Sequence, residues 1–251
     1  MSQTVELYAD DGGGDPLPVV FLHSTAGNAA QWSAQIEYLR SARRTVALER
    51  RGHGRSAAPD NGDYSFVTEA ADVDEAADRL GIGRFVLVGH SGGGLVAVQY
   101  AADHPERVAA LLLADPAGDA RQVPAEQMDA LLAGLASEAY AQTIEGYWGV
   151  LLNGSEGAVR RRVMADLRST PKETVVGYFR ALRGYDPLPA LRSYGGPRLS
   201  VITPANDAPF GLHNVDPALP HTVVTGTGHR LQMDNPKGFN RILDGFLART
   251  S

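Results

Sequence analysis

Short, solid apolar runs alternate with helix-period segments through the first half of the chain. Pro18-Val-Val-Phe-Leu22, Thr45 to Glu49, Phe85 to Val88 and Val108 to Ala114 are each continuous and apolar, the pattern of strands covered on both faces. Between them, Ala29 to Ala42 sets Trp32, Ile36 and Leu39 at helical spacing behind Asn28, a residue suited to an N-cap. Ser65 to Leu80 spaces Phe66, Val73, Ala76, Ala77 and Leu80 among acids and stops at Gly81. A small-residue helix over 92–103 is closed by Pro105. A weaker alternation predicts a strand over Thr4 to Tyr8, followed by a turn-rich connection from Asp10 to Pro18. The expected class is α/β: a mostly parallel sheet with helices on both faces.

The alternation stops at Ala117. From there to Gly196 the periodicity gives helices only, over 124–140, 143–152, 156–169 and 172–183, punctuated by Pro124, Gly154, Pro171 and the Pro187/Pro189 pair. The core pattern resumes with strands at Arg198 to Thr203 and Thr222 to Thr225. It ends in an amphipathic helix, Pro236 to Leu247, with Phe239, Ile242, Leu243 and Phe246 on one face. Residues 1–116 and 197–251 are therefore expected to form an α/β core domain, and residues 117–196 a helical cap inserted after the sixth strand. In open sheets of this kind ligands bind outside the carboxyl ends of the strands.

Composition narrows the chemistry. The 251 residues contain no cysteine, which removes disulfides, thiolate nucleophiles and Cys-zinc sites. A net charge of −6 with interspersed signs argues against nucleic acid or an anionic membrane as the main partner. The first fifteen residues are polar and acidic, without the basic and apolar regions of a signal peptide. The expected location is cytoplasmic. The histidines form no metal set, since His213 and His221 lack a carboxylate constellation. No metal or cofactor is expected.

At the end of the run 85–88 stands Gly89-His90-Ser91-Gly92-Gly93. A Gly-x-Ser-x-Gly turn between strand and helix holds its serine at the apex of a sharp, strained bend and lifts Oγ clear of the backbone. Glycines at 89 and 93 fit that geometry, because the strand and helix cross too closely for a Cβ. The triple glycine also suits a phosphate cradle, but no Gly-Lys-Ser/Thr follows. A serine hydroxyl needs a base, and the base an orienting acid. His229, in a Gly-Thr-Gly-His turn after a strand, is the expected base. Two aspartates follow strands on the same rim. Asp207, in the order Ser91…Asp207…His229, is the expected acid, with Asp115 as the alternative. The oxyanion donors expected are the backbone N–H groups of Gly92 and Thr25. In the cap, Trp148 and Tyr147, with Tyr140, Met128 and Phe179, are candidates for an apolar pocket, and Ser24 and His90 for its polar edge. His23 is read as a loop-orienting residue, and Arg51 and Arg55 as loop-bracing ion pairs. Arg160-Arg161-Arg162 is read as a solvated helix face.

Four motifs together resemble the α/β-hydrolase-fold serine hydrolases, over nearly the whole chain. Phe21 to Gly27 is similar to the family's oxyanion loop. Glu49-Arg50-Arg51-Gly52-His53-Gly54-Arg55-Ser56 is similar to its Asp-x-Arg-Gly-x-Gly-x-Ser loop. Gly89 to Gly93 is the nucleophile elbow, and Gly226 to His229 with Gln232, Asp234, Asn235 and Pro236 resembles the segment of the catalytic histidine. Ser24 replaces the family's glycine, Glu49 its aspartate, and the stretch from Asp207 to the strand at 222 is short. The resemblance implies a cofactor-free hydrolase acting on a small-molecule ester or lactone through an acyl-enzyme on Ser91. Hydrolysis of a carbon–carbon bond or perhydrolysis by the same residues, and a slow-turnover ligand sensor, are the alternatives. A homodimer is left open as a partner. Serine at the elbow separates the chain from the dehalogenases and epoxide hydrolases of this fold, which carry aspartate there.

Overall fold

A computed structural model describes residues 4–250. Seven strands form one sheet: β1 (Ala9–Gly12), β2 (Val19–Leu22), β3 (Thr45–Leu48), β4 (Phe85–His90), β5 (Val108–Ala114), β6 (Arg198–Ile202) and β7 (His221–Val223). Their order is β1-β3-β2-β4-β5-β6-β7. β1 runs antiparallel to β3 and every other pair is parallel. The helices are α1 (Ser33–Leu39), α2 (Phe66–Arg79), α3 (Gly92–Asp103), α4 (Ala125–Ala136), α5 (Tyr140–Leu151), α6 (Gly157–Ser169), α7 (Lys172–Gly184), α8 (Pro187–Ser193), α9 (Leu212–Val215), α10 (Leu231–Asp234) and α11 (Pro236–Leu247).

The two-residue period of the strands sorts the core into two layers. Val86 and Val88 of β4 join Phe21, Leu112 and Val201 in packing against Trp32 and Ile36 beside α1 and Phe239, Leu243 and Phe246 of α11. Phe85 and Leu87 face the other way, with Leu22, Leu111 and Leu113, toward Phe66 and Val73 of α2 and Val96 and Tyr100 of α3. Burial on both faces is why these strands read as unbroken apolar runs. α11 starts cleanly because Asn235 Oδ1 accepts from Gly238 N at 2.9 Å, with Pro236 at the first helical position. Each of its large buried side chains contributes about 1.5–3 kcal/mol of apolar burial.

Several readings change. The first strand is Ala9–Gly12, not Thr4–Tyr8. The backbone of the earlier stretch bonds to side chains instead: Val5 N donates to Asp72 Oδ1 (2.8 Å) and Tyr8 N to Ser56 Oγ (2.9 Å). The acidic β1 is tolerated because it is an edge strand, and Asp10 and Asp11 pair with Arg40 and Arg44 at 2.9 and 2.7 Å. The second change is α8, hidden by its two prolines. Pro187 occupies its first turn, where no N–H is needed, and Asp186 caps Leu188 N at 3.0 Å.

Residues 117–196 follow the fifth strand and not the sixth, because Thr4–Tyr8 is no strand and only β1 to β5 precede them; between β5 and β6 there is no strand among the described residues. α6 and α7 are tied to the loops at the strand ends. Asn28 and Gln31 each donate to Asp166 of α6 at 3.0 Å, and Thr174 of α7 donates to Gly52 O at 3.2 Å. α8 packs on α3, and Tyr194 just beyond it donates to Val108 O at 3.1 Å. The segment after α7 thus returns to the core layers before β6 begins.

Candidate active site

The end of β4 sets the geometry. Ser91 has φ 52° and ψ −120°, a left-handed backbone that costs a non-glycine residue about 1–3 kcal/mol. The neighbouring glycines explain how the bend closes. A Cβ on Gly89 would overlap Gly93 O and lie 2.7 Å from Gly94 Cα, so strand and helix do cross too closely there. A Cβ on Gly93 would instead strike His23 O and sit 2.7 Å from Leu22 O. Gly93 is therefore required by the close approach of the loop after β2, not by β4 itself.

Sheet register then brings the acid in. His90 pairs with Ala114 across β4 and β5, and Ser91 N donates to Ala114 O at 3.1 Å, so Asp115 emerges beside Ser91. Asp115 also has positive φ, 42°. Its side chain is buried and fully engaged. Oδ1 accepts from Thr203 N at 2.7 Å; Oδ2 accepts from Thr203 Oγ1 at 2.9 Å and from His229 Nδ1 at 2.6 Å. Thr203 follows β6, so three adjacent strand ends build this contact. The bond to Asp115 makes Nδ1 the protonated nitrogen of His229 and leaves Nε2 as the basic one. Nε2 is buried without a hydrogen-bond partner among the described residues.

The expectation that Asp207 orients His229 is overturned. Asp207 follows a single turn of 3₁₀ helix, Pro204–Asn206, past β6, and its side chain is 54% exposed. Its Oδ1 bonds His213 Nε2 at 3.1 Å and accepts from Asn214 Nδ2 at 3.2 Å. These bonds, His213 first, hold its carboxyl below the ordinary value. The short connection to β7 turns this carboxylate toward α9 and away from His229.

Ser91, Asp115 and His229 open on a cavity of about 830 Å³, within the range of small-molecule sites. Thr25, Met128, Tyr147, Trp148, Tyr178 and Phe179 line it. Trp148, Tyr147, Met128 and Phe179 are where the sequence reading put them; Tyr140 is absent from the lining. Ser24 and His90, expected at the pocket, are also absent from it. Ser24 Oγ turns to Gln31 Oε1 (3.2 Å) and Thr25 O (3.3 Å). His90 lies beneath the site, fully buried, with Nε2 donating to His229 O at 2.8 Å and Nδ1 accepting from Gln232 Nε2 at 3.2 Å. Burial, reinforced by the Arg230 charge, pushes its pKa well below 6.5, so it is a neutral strut under His229.

Thr25 and Gly92 converge: a Cβ on Gly92 would stand 2.6 Å from Thr25 Oγ1 and 2.7 Å from the Tyr178 ring. Gly92 opens α3, so its N–H has no acceptor within the helix. The Thr25 loop is braced from behind. Ala26, at φ 54°, donates its N–H to His53 Nε2 at 3.0 Å, and His53 Nδ1 donates to Arg51 O at 2.9 Å. His23 takes Arg50 N–H on Nε2 (3.0 Å) and donates from Nδ1 to Ser24 O (2.7 Å). Burial and then the Arg50 charge lower the His23 pKa to about 3. Burial and then His23 push His53 well down. Glu49 accepts from Arg55 N at 2.6 Å and Ala29 N at 3.3 Å, and its carboxylate also receives the Arg55 guanidinium. Arg51 is bound to Asp72 at 2.6 Å and Arg50 to Glu69 at 2.7 Å, both pairs buried.

Sequence reasoning missed Thr203, Tyr178 and Arg230. Thr203 was read only as the end of a strand, and nothing in a lone Arg after His229 signals burial. Among the described residues no group of three or more His, Asp or Glu could hold a metal ion, and no helix is long and apolar enough to cross a membrane.

A family model described as "alpha/beta hydrolase fold" matches residues 18–236. A proline iminopeptidase of Neisseria meningitidis is 30% identical over 174 residues, covering 62% of this chain and 55% of that protein. The chain thus spans about half the length of such curated relatives. The dihydrolipoyllysine-residue acetyltransferase component of an acetoin cleaving system from Cupriavidus necator is 28% identical, over 96% of this chain and 66% of its own. Among solved structures, the enol-lactonase from Burkholderia xenovorans superposes with a TM-score of 0.85 at 22% identity, covering 97% of both chains. With this sheet order, a left-handed serine at the end of β4 and a family match over most of its length, the chain belongs to the α/β-hydrolase-fold family.

Proposed function

We propose that the protein is a serine hydrolase that cleaves a carboxylic ester or lactone through an acyl-enzyme on Ser91. One observation carries the reading: a buried histidine bonded through Nδ1 to a buried aspartate, with bare Nε2, shares a cavity wall with a serine at a strained elbow. In the reaction, Ser91 Oγ attacks the carbonyl carbon as His229 Nε2 takes its proton. Asp115 stays ionised, holds the ring in the Nδ1–H tautomer and stabilises the imidazolium. The N–H groups of Thr25 and Gly92 receive the developing oxyanion. His229 returns its proton to the leaving alcohol, then deprotonates a water that attacks the acyl-enzyme and regenerates Ser91. In a lactone the leaving alcohol remains attached to the acyl group and departs with it.

The backbone support behind Thr25 favours this reading, because a loop locked by His53 and Glu49 presents its donor without reorganisation. The test is labelling by a fluorophosphonate with mass spectrometry, beside a panel of esters, lactones and vinylogous diketones. A single adduct on Ser91, lost in Ser91→Ala with the ester activity, is expected. Undiminished ester turnover in Ser91→Ala would overturn the proposal.

A further inference from the structure

The cavity wall holds more than the reacting groups. Several of its side chains carry buried polar atoms with no hydrogen-bond partner among the described residues: Arg230 Nε and Nη1, Trp148 Nε1 and Thr227 Oγ1. Buried polar groups are nearly always paired, so unpaired ones on side chains that line a cavity call for an explanation, and a bound ligand is one. The cluster is biased toward donors. Arginine and the indole N–H can only donate, and arginine does so as a cation.

Arg230 is the sharpest case. It is 1% exposed, and an unpaired charge at that depth is among the least tolerated features of a protein interior. Burial lowers its pKa to about 10, with Asp166, Asp234 and Asp115 acting in the opposite direction, so it keeps its charge at neutral pH. Of the acids around it, two are occupied and the third keeps one oxygen free. Asp166 takes Asn28, Gln31 and Arg162. Asp115 holds His229 and Thr203. Asp234 accepts Ser155 Oγ at 2.9 Å and Gly228 N at 3.0 Å through Oδ2, leaving Oδ1 unpartnered. Of the other nearby cation and phenol, Arg50 binds Glu69 through Nε and Nη2 and, though its Nη1 is also unpartnered among the described residues, does not line the cavity, and burial raises the Tyr178 hydroxyl above its ordinary range.

We infer that Arg230, assisted by Trp148 Nε1, anchors a carboxylate on the substrate, so that the preferred ester or lactone is an acidic one. The inference rests on the hydrolase reading above and names its substrate class. A guanidinium offers a planar fork of donors matched to a carboxylate, and a desolvated wall strengthens the pairing. Arg230 directly follows His229, so the anchored carboxylate would lie against the same wall as the base.

The experiment compares mono-p-nitrophenyl glutarate with p-nitrophenyl pentanoate, esters of equal acyl length that differ by one terminal carboxylate. The wild-type protein is expected to prefer the anionic ester by about 10- to 100-fold in kcat/KM, mainly through KM, the range of one charge-assisted contact. Arg230→Gln should bring that ratio close to one, Arg230→Lys should recover part of it, and Trp148→Phe should lower it while keeping the ring. No preference in the wild type, or a preference that survives Arg230→Gln, would overturn the inference. So would an equal loss of selectivity in Asp234→Asn and Arg230→Gln with matching falls in Tm, which would mark Arg230 as the structural partner of Asp234. If neither ester is turned over, the hydrolase reading is what fails. Calorimetric titration with glutarate then decides the anchor: binding lost in Arg230→Gln supports it, and no binding to the wild type overturns it.

Discussion

Three histidines surround the site without belonging to the reaction, and acid should unfold the protein through them. His23, His53 and His90 are at most 1% exposed. Each ring donates from one nitrogen to a carbonyl and accepts an N–H on the other: Arg50 N on His23, Ala26 N on His53, Gln232 Nε2 on His90. A second proton would set N–H against N–H in a buried site, so all three are neutral when folded. Their folded pKa values are depressed, His23 to about 3 and the other two well below 6.5, while in the unfolded chain each titrates near ~6.5. Below that value the unfolded state binds more protons, so stability is complete above about pH 7.5 and falls as pH drops through ~6.5 toward 3. At pH 5 each histidine should cost about 2 kcal/mol and the three about 6 kcal/mol, against a total of about 5–15 kcal/mol for a folded protein. Buried Asp72 and Asp234, whose carboxyls are raised chiefly by desolvation, gain stability as pH falls and temper the loss at its acid end. Urea melts from pH 8 to 5, followed by fluorescence of the buried Trp32 and Trp148, measure the slope. His53→Gln should reduce it by about 1.2 kcal/mol per pH unit between pH 6 and 5. An unfolding free energy that stays level from pH 8 to 5 would refute the assignment of neutral histidines.

Two further changes probe the scaffold. Gly93→Ala should force the loop after β2 away from the elbow, because its Cβ would lie 2.7 Å from Leu22 O; a loss of about 1–3 kcal/mol in denaturant melts, with ester activity falling more than tenfold, is expected. Asp72→Ala should leave Arg51 charged and buried, lowering stability by about 3–5 kcal/mol and Tm by about 10 °C in calorimetry; unchanged melting would mean that the pair carries no weight.

Much of this site was legible because its parts sit where local pattern is strongest. Solid apolar runs marked the central strands, and a glycine on each side of Ser91 marked the elbow. The acid was misread because two aspartates satisfy the same local rule. Asp115 and Asp207 both follow strands, and both fall between Ser91 and His229 in the chain. The distinguishing features are nonlocal. Asp115 comes directly off β5, which pairs with β4 in a register that puts it beside Ser91. Asp207 stands beyond a turn and meets His213 and Asn214 of α9. β1 was obscured for a different reason: its acids read as a turn, yet an edge strand accepts charges that a central strand would not. Arg230 had no sequence signal, since an arginine in a loop is ordinarily solvated, whereas this one is 1% exposed.

The identity of the acid that orients His229 is the central claim, and steady-state kinetics of two single variants test it most directly. Asp115→Asn keeps the shape of the contact to His229 Nδ1 at 2.6 Å but removes the charge and favours the wrong tautomer. It should lower kcat for a p-nitrophenyl ester by about 10⁴ while leaving the fold intact. Asp207→Asn, altered at an exposed carboxylate bound to His213, should stay within a few-fold of wild type. A crippled Asp207→Asn beside a fully active Asp115→Asn would contradict the account.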